Sequence, residues 1–297
     1  MSKILINLVK MTISLFPPSW PPAIYNSLVK VTFLKTMMMF VLKRITPTSA
    51  DIPEGKIIFD PEDPIMASWL SLGQYEPEMV ALFQSSIEKG MTVVDIGANL
   101  GYFTVISSHR VGPEGKVFAF EPDPHNFSLL QKNISTNEFR NVTASQIALS
   151  DRSGTRELFF GDNNTTHSFS DKRGKRKSET VTTDTLDNIL KADGSPRVDL
   201  IKMDIEGAEP VAFEGMKETL SNNPKLIVFF EFYPNAIKRL GCDPITFLED
   251  FRKLGFTISV IDENAGQLIT IHDVATFTNT FPKKDWTRNM IAYKVLE

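Results

Sequence analysis

Two stretches of this 297-residue chain combine carboxylates and glycines at spacings that could serve chemistry. The first, VVDIGANLGYFT at 93–104, runs apolar into Asp95, turns at Gly97-Ala98-Asn99-Leu100-Gly101 and runs apolar again. Glycines there permit a tight turn and a close approach of ligand to backbone. A diphosphate-binding turn reads G-x-G-x-x-G, with the middle glycine admitting pyrophosphate to the main chain. This chain has Asn99 at that place, and Asp95 would repel phosphate but suit an amino group. Downstream, VFAFEP puts Glu121 24 residues after Gly97, at the end of the next apolar run. A carboxylate so placed accepts both hydroxyls of a ribose. The ligand specified has a ribose and a cationic part and requires no phosphate, which fits S-adenosylmethionine.

The second stretch is DIEGAE at 204–209. Asp204 and Glu206 alternate along an extended chain and can face one side. Glu231 closes a later apolar run, next in the expected sheet. Three carboxylates near one point have two explanations. They act as general base and acceptor ligands, or Asp204 and Glu231 hold a Mg²⁺ that polarises a hydroxyl. Glu209 precedes Pro210 and reads as a stabiliser of a helix start. His167, in the loop NNTTHSFS, is a further candidate base over the acceptor pocket. The same loop continues into Lys172-Arg173-Gly174-Lys175-Arg176-Lys177, either a solvated turn or a contact for a phosphate on the acceptor. His109 and His125 fall in expected helices, and His272 in a C-terminal stretch of weak pattern.

These residues need a scaffold, and the hydropathy pattern supplies one. Strands are expected at 91–96, 116–120, 142–149, 198–203, 225–230, 256–261 and 290–294. Helices are expected at 102–110, 124–137, 210–220 and 245–254, the third opening on Pro210. Residues 155–160 and 179–183 suit a hairpin flanking the polar loop. Such alternation predicts an α/β doubly wound, mainly parallel sheet with helices on both faces. Ligands of these sheets lie beyond the carboxyl ends of the strands, where Asp95, Glu121, Asp204 and Glu231 all fall.

Totals narrow the setting. Net charge is −4, so attraction of the whole chain to nucleic acid is not indicated. The charge is uneven: residues 1–50 hold six Lys and Arg and no acid, so this leader is +6 and the remainder −10. The leader is apolar, basic and helix-like over 23–45, yet lysines interrupt it too often for a membrane span. It either packs on the body or lies on an anionic membrane surface. A linker is expected at 46–54, dividing a 1–50 leader from a 51–297 catalytic domain. One cysteine, Cys242, rules out an intrachain disulfide and favours a reducing, cytoplasmic setting. Asn133, Asn141 and Asn164 match a glycosylation pattern that means little there.

The segments GQYEPE (73–78), VVDIGANLGYFT, GKVFAFEPDPHNF (115–127), IALSDRSG (147–154), DLIKMDIEGAEP (199–210) and FEFYP (230–234) together resemble the FkbM family of class I S-adenosylmethionine-dependent methyltransferases. The resemblance covers about 57 to 255 and leaves out the leader. It implies a Rossmann-like sheet of seven strands, the last antiparallel, and methyl transfer to a hydroxyl of a sugar, glycolipid or natural-product-like acceptor. By carry-over, Asp95, Gly97, Ala98, Asn99 and Gly101 surround the methionine end of the donor. Glu121 holds the ribose with Pro122 and Asn126 beside it, Ala148 to Asp151 border the adenine, and Glu76 closes over the cofactor. The competing functions are methylation of RNA, supported only by the basic run, and a cofactor-binding scaffold without turnover.

Overall fold

The computed structural model describes residues 46–160, 167–170, 177–194, 197–281 and 286–294. The leader up to residue 45, Asn164 and most of the basic run lie outside the described residues. Among those described, no helix is long and apolar enough to cross a membrane.

The centre is a sheet of β3 (Thr92–Ile96), β4 (Lys116–Phe120), β5 (Val142–Ser145), β9 (Leu200–Met203), β10 (Ile227–Phe232), β11 (Thr257–Asp262), β12 (Gln267–Thr270) and β13 (Arg288–Tyr293). Its order is β12-β11-β13-β10-β9-β3-β4-β5. The pairs from β10 through β5 are parallel, and β13 lies antiparallel between β10 and β11. This is the expected Rossmann-like arrangement of seven strands with the last antiparallel. β12 adds an eighth at the edge, folded back on β11. Buried parallel strands read as near-continuous apolar runs, and β3, β4 and β9 are such runs with almost no exposed residue, interrupted by the buried Asp95 in β3 and Lys202 in β9.

Helices cover both faces. On one side α3 (Tyr102–Val111) packs with α2 (Pro77–Ser85) around Phe83, Phe103, Ile106 and Phe229. On the other, α9 (Pro244–Lys253) brings Phe247 and Phe251 against Phe213 and Phe230, with ring centroids 4.8–5.8 Å apart.

Three expectations change. The supposed linker at 46–54 contains a strand: β1 (Ser49–Ile52) and β2 (Gly55–Ile58) form a hairpin. Asn133 of α4 (Pro124–Thr136) and Asn137 at its C-terminal cap hold it through bonds to the Ile58 and Lys56 main chain. Asn133 is fully buried, so its glycosylation match has no meaning in the fold. The strand expected at 142–149 breaks after Ser145. β6 (Ala148–Leu149) leaves the main sheet to pair with β8 (Ser178–Asp184), itself antiparallel to β7 (Gly154–Phe159) as the hairpin expectation required. The helix expected at 210–220 is two short ones, α6 (Glu209–Glu214) and α7 (Lys217–Asn222). At Gly215, between them, a Cβ would collide with the Ser150 carbonyl.

Candidate active site

The turn after β3 is closed on itself. Gly97 and Ala98 donate their N–H groups to the Phe120 carbonyl at 2.9 and 3.0 Å, and Gly101 donates to Ala98 at 2.8 Å. Asn99 N–H goes to Glu121 Oε2 at 2.8 Å, and Leu100 N–H to the Asn99 side-chain oxygen at 2.7 Å. All five N–H groups of the turn are therefore spent inside the protein. Gly97 has φ 76° and lies against the next loop of the site, where a Cβ would strike the Asp204 carbonyl.

Glu121 is 5% exposed at the end of β4 and lines the cleft above this turn. Its other oxygen accepts Asp123 N–H at 2.9 Å. Burial pushes its carboxyl up to about 7 against the pull of these two bonds. Each oxygen keeps a lone pair for a ligand hydroxyl. The cleft, about 900 Å³ including its open mouth, continues past Pro122 and Asn126 into an apolar slot. Phe120, Ile147, Ala148, Leu149, Leu158 and Phe169 line that slot, which suits a flat base.

At the other end of the cleft lies a second chamber. Asp63, Trp69, Tyr75, Glu76, Asp204, Glu206 and Glu231 surround it, and Met66, Tyr75, Asp204 and Glu206 face both spaces. Asp63 and Trp69 come from the start and body of α1 (Pro64–Leu72), a helix not expected from the sequence although Asp63-Pro64 and Gly73 are its start and stop signals. Glu76 stands at the start of α2 with φ 43°, and Glu206 has φ 55°, the left-handed region that non-glycine residues rarely adopt. Burial first, then Asp204, pushes Glu76 up to about 7. Glu231 is held well above the usual carboxylate range by burial and by Asp204, Glu206 and Glu209. The Tyr75 phenol is raised well above its ordinary value for the same two reasons.

Several expected site residues sit elsewhere. Asp95 lies beneath the turn, fully buried, accepting the Thr104 hydroxyl at 2.6 Å. Gly101, with φ 93°, packs on Leu130. Asp151 turns away from the cleft to pair with Arg156 at 2.6 Å. Glu76 borders the carboxylate chamber, not the cofactor cleft. His167 lines the cofactor cleft, 3.5 Å from Asp123, and does not line the carboxylate chamber expected to hold the acceptor. Glu209, expected to stabilise a helix start, instead serves the loop before that helix: fully buried, it accepts the N–H groups of Ile205 and Gly207 and so fixes the loop carrying Asp204 and Glu206.

Asp204 and Glu231 share a chamber. Among the described residues, however, no three His, Cys, Asp or Glu side chains gather closely enough to hold a metal ion. Asp204 is instead engaged by the Lys202 ammonium at 3.4 Å. The Mg²⁺ alternative draws no support from this geometry.

Comparison with known proteins identifies a family. Residues 95–258 match the model of the methyltransferase FkbM domain. The chain is 29% identical over 177 residues to methyltransferase sdnD of Sordaria araneosa, covering 49% of this chain and 68% of that one. It is 28% identical over 153 residues to the hexuronic acid methyltransferase AglP of Haloferax volcanii, covering 52% and 61%. A crystal structure of methyltransferase FkbM from Methylobacillus flagellatus overlays with a TM-score of 0.41 at 15% identity, over 88% of this chain and 60% of that one. The matches thus span roughly three-fifths to two-thirds of these relatives.

Proposed function

The chain belongs to the FkbM methyltransferase family, and from that premise we propose that it transfers a methyl group from S-adenosylmethionine to a hydroxyl oxygen of a small sugar-like or natural-product-like acceptor. One observation carries the donor reading: the N–H groups of the 97–101 turn are spent within the turn, on the Phe120 carbonyl and on Glu121. That leaves a carboxylate for a ribose and no free N–H in the turn for a diphosphate.

In this reading the adenine enters the slot formed by Phe120, Ala148 and Leu158. Glu121 takes the ribose hydroxyls, and the methionine end runs past Gly97 and Asn99 toward Tyr75. The bound donor supplies an electrophilic methyl on a positive sulfur. The remaining work is done by the chain. The carboxylate chamber meets the cleft at Asp204 and Glu206, so an acceptor held there points a hydroxyl at the methyl. Positioning of this kind is worth about 7–11 kcal/mol in favourable cases. As the oxygen forms its bond to carbon, the carbon–sulfur pair returns to sulfur and the hydroxyl proton passes to a carboxylate of the chamber. Asp204, Glu206 and Glu231 are the candidate bases, and Glu209 keeps the first two in place through the loop.

AglP is named a hexuronic acid methyltransferase, and that supports a sugar-class acceptor. The test is incubation of the chain with isotopically labelled donor and a panel of hydroxylated sugars, glycolipids and RNA. Labelled methyl ether on a small hydroxylated acceptor supports the proposal. Label on RNA alone, or on nitrogen alone, refutes it.

A further inference from the structure

Lys202 is so far a neighbour of the site with no task in it. It sits in β9 among Leu200, Ile201 and Met203, and is 4% exposed. Its ammonium lies 4.7 Å from the Phe103 ring centre and 3.4 Å from Asp204 Oδ2. Asp95 stands opposite it in the β3–β9 register. The bond to Asp204 uses one of three N–H donors.

Lys202 is also the one Lys or Arg among the described residues lining the cleft and the carboxylate chamber. The other ionisable groups there are Asp63, Glu76, Glu121, Asp204, Glu206 and Glu231, with His167 at the base end. S-adenosylmethionine brings its own carboxylate. An unpaired carboxylate buried among six others is heavily penalised. One cation, lining the cleft and bonded to Asp204 where the two spaces meet, removes that penalty.

We propose that the Lys202 ammonium receives the α-carboxylate of the donor's methionine moiety, anchoring that end between Phe103 and Asp204. The assignment rests on the donor reading given above. It makes Lys202 a donor-binding residue that aims the sulfur toward the carboxylate chamber. The competing description is a counter-ion that only neutralises Asp95 and Asp204.

The experiment is calorimetric titration with two probes: S-adenosylhomocysteine and its decarboxylated counterpart, which keeps the adenosine, thioether and amine. The wild-type chain should prefer the first by roughly 10- to 100-fold, the range of a charge-assisted bond. In Lys202→Met the preference should vanish, by loss of affinity for S-adenosylhomocysteine with the decarboxylated probe unchanged. Lys202→Arg should restore part of it. Equal wild-type affinities for the two probes would overturn the assignment, as would equal weakening of both in Lys202→Met. Should Lys202→Met not fold, the wild-type pair and Lys202→Arg decide. A wild-type chain that binds neither probe instead refutes the donor reading.

Discussion

At the residue scale, Glu121 carries the most specific expectation. A ribose diol donates hydrogen bonds to a carboxylate, so binding favours the ionised form. Burial places this group at about 7. Affinity for S-adenosylhomocysteine should therefore climb between about pH 6 and about pH 8 and level off above. Glu121→Gln should flatten that profile, and Glu121→Ala should weaken binding by roughly 10- to 100-fold, the cost of losing charged hydrogen bonds. A wild-type affinity indifferent to pH would remove Glu121 from the ribose site. The chamber carboxylates make a different prediction. Glu231→Gln and Asp204→Asn should lower kcat by roughly 10²- to 10⁴-fold, the usual span for a proton acceptor. Donor affinity should change little in Glu231→Gln. His167→Ala should act on the donor KM rather than on kcat, because His167 lines the cofactor cleft. A collapse of kcat with unchanged KM would return it to the role of base.

At the element scale, the carboxylate chamber depends on how α2 starts. Glu263, in the turn between β11 and β12, accepts the N–H groups of Glu78 and Met79 at 3.1 and 3.2 Å. It caps the helix that begins just after Glu76 and receives the Asn289 amide as well. Glu263→Ala should cost about 1 kcal/mol, as loss of a helix cap does, measurable as a lower urea midpoint. Because it frees Glu76, it should also raise the acceptor KM. A KM left alone would mean that Glu76 is positioned by other contacts.

The same scale shows what the sequence made legible. β3 and β4 end at Ile96 and Phe120, within a residue of Asp95 and Glu121, because buried parallel strands are apolar runs stopped by a charge or a glycine. The break after Ser145 left no trace, since no glycine or proline stands between β5 and β6 and what separates them is their partner strand. The bend at Gly215 comes from a distant carbonyl, Ser150, which local propensity cannot report. The β1–β2 hairpin looked like a linker because asparagine side chains of α4 and its C-terminal cap, not a longer strand, hold its edge. One legible signal passed over was Lys202, a lysine inside the apolar run of β9. Asp63-Pro64 and Gly73 also marked the ends of α1, whereas the place of Trp69 in the chamber is set by packing.

For the whole molecule, the acidic interior leaves a thermodynamic mark. Glu76, Glu121 and Glu209 are each raised from 4.5 to about 7. The fold then holds these protons more tightly than the unfolded chain does. Their contribution to stability is complete below about pH 4.5 and is lost as pH rises through about 7. Asp184, Asp243 and Asp273 are shifted downward and act in the opposite sense only below about 3.8. The ligand-free chain should therefore have a higher Tm near pH 5 than near pH 8. S-adenosylhomocysteine should narrow the gap by stabilising the ionised Glu121. Thermal scans that rise steadily toward pH 8 without ligand would contradict this assignment of buried protons.

A choice between ligand classes underlies all of it, and one pair of calorimetric titrations decides that choice. The chain is titrated with S-adenosylhomocysteine and, separately, with NAD⁺. Saturable heat with the thioether and none with the dinucleotide is the predicted result. Saturable NAD⁺ binding that Glu121→Ala abolishes, with no heat from S-adenosylhomocysteine, would contradict it.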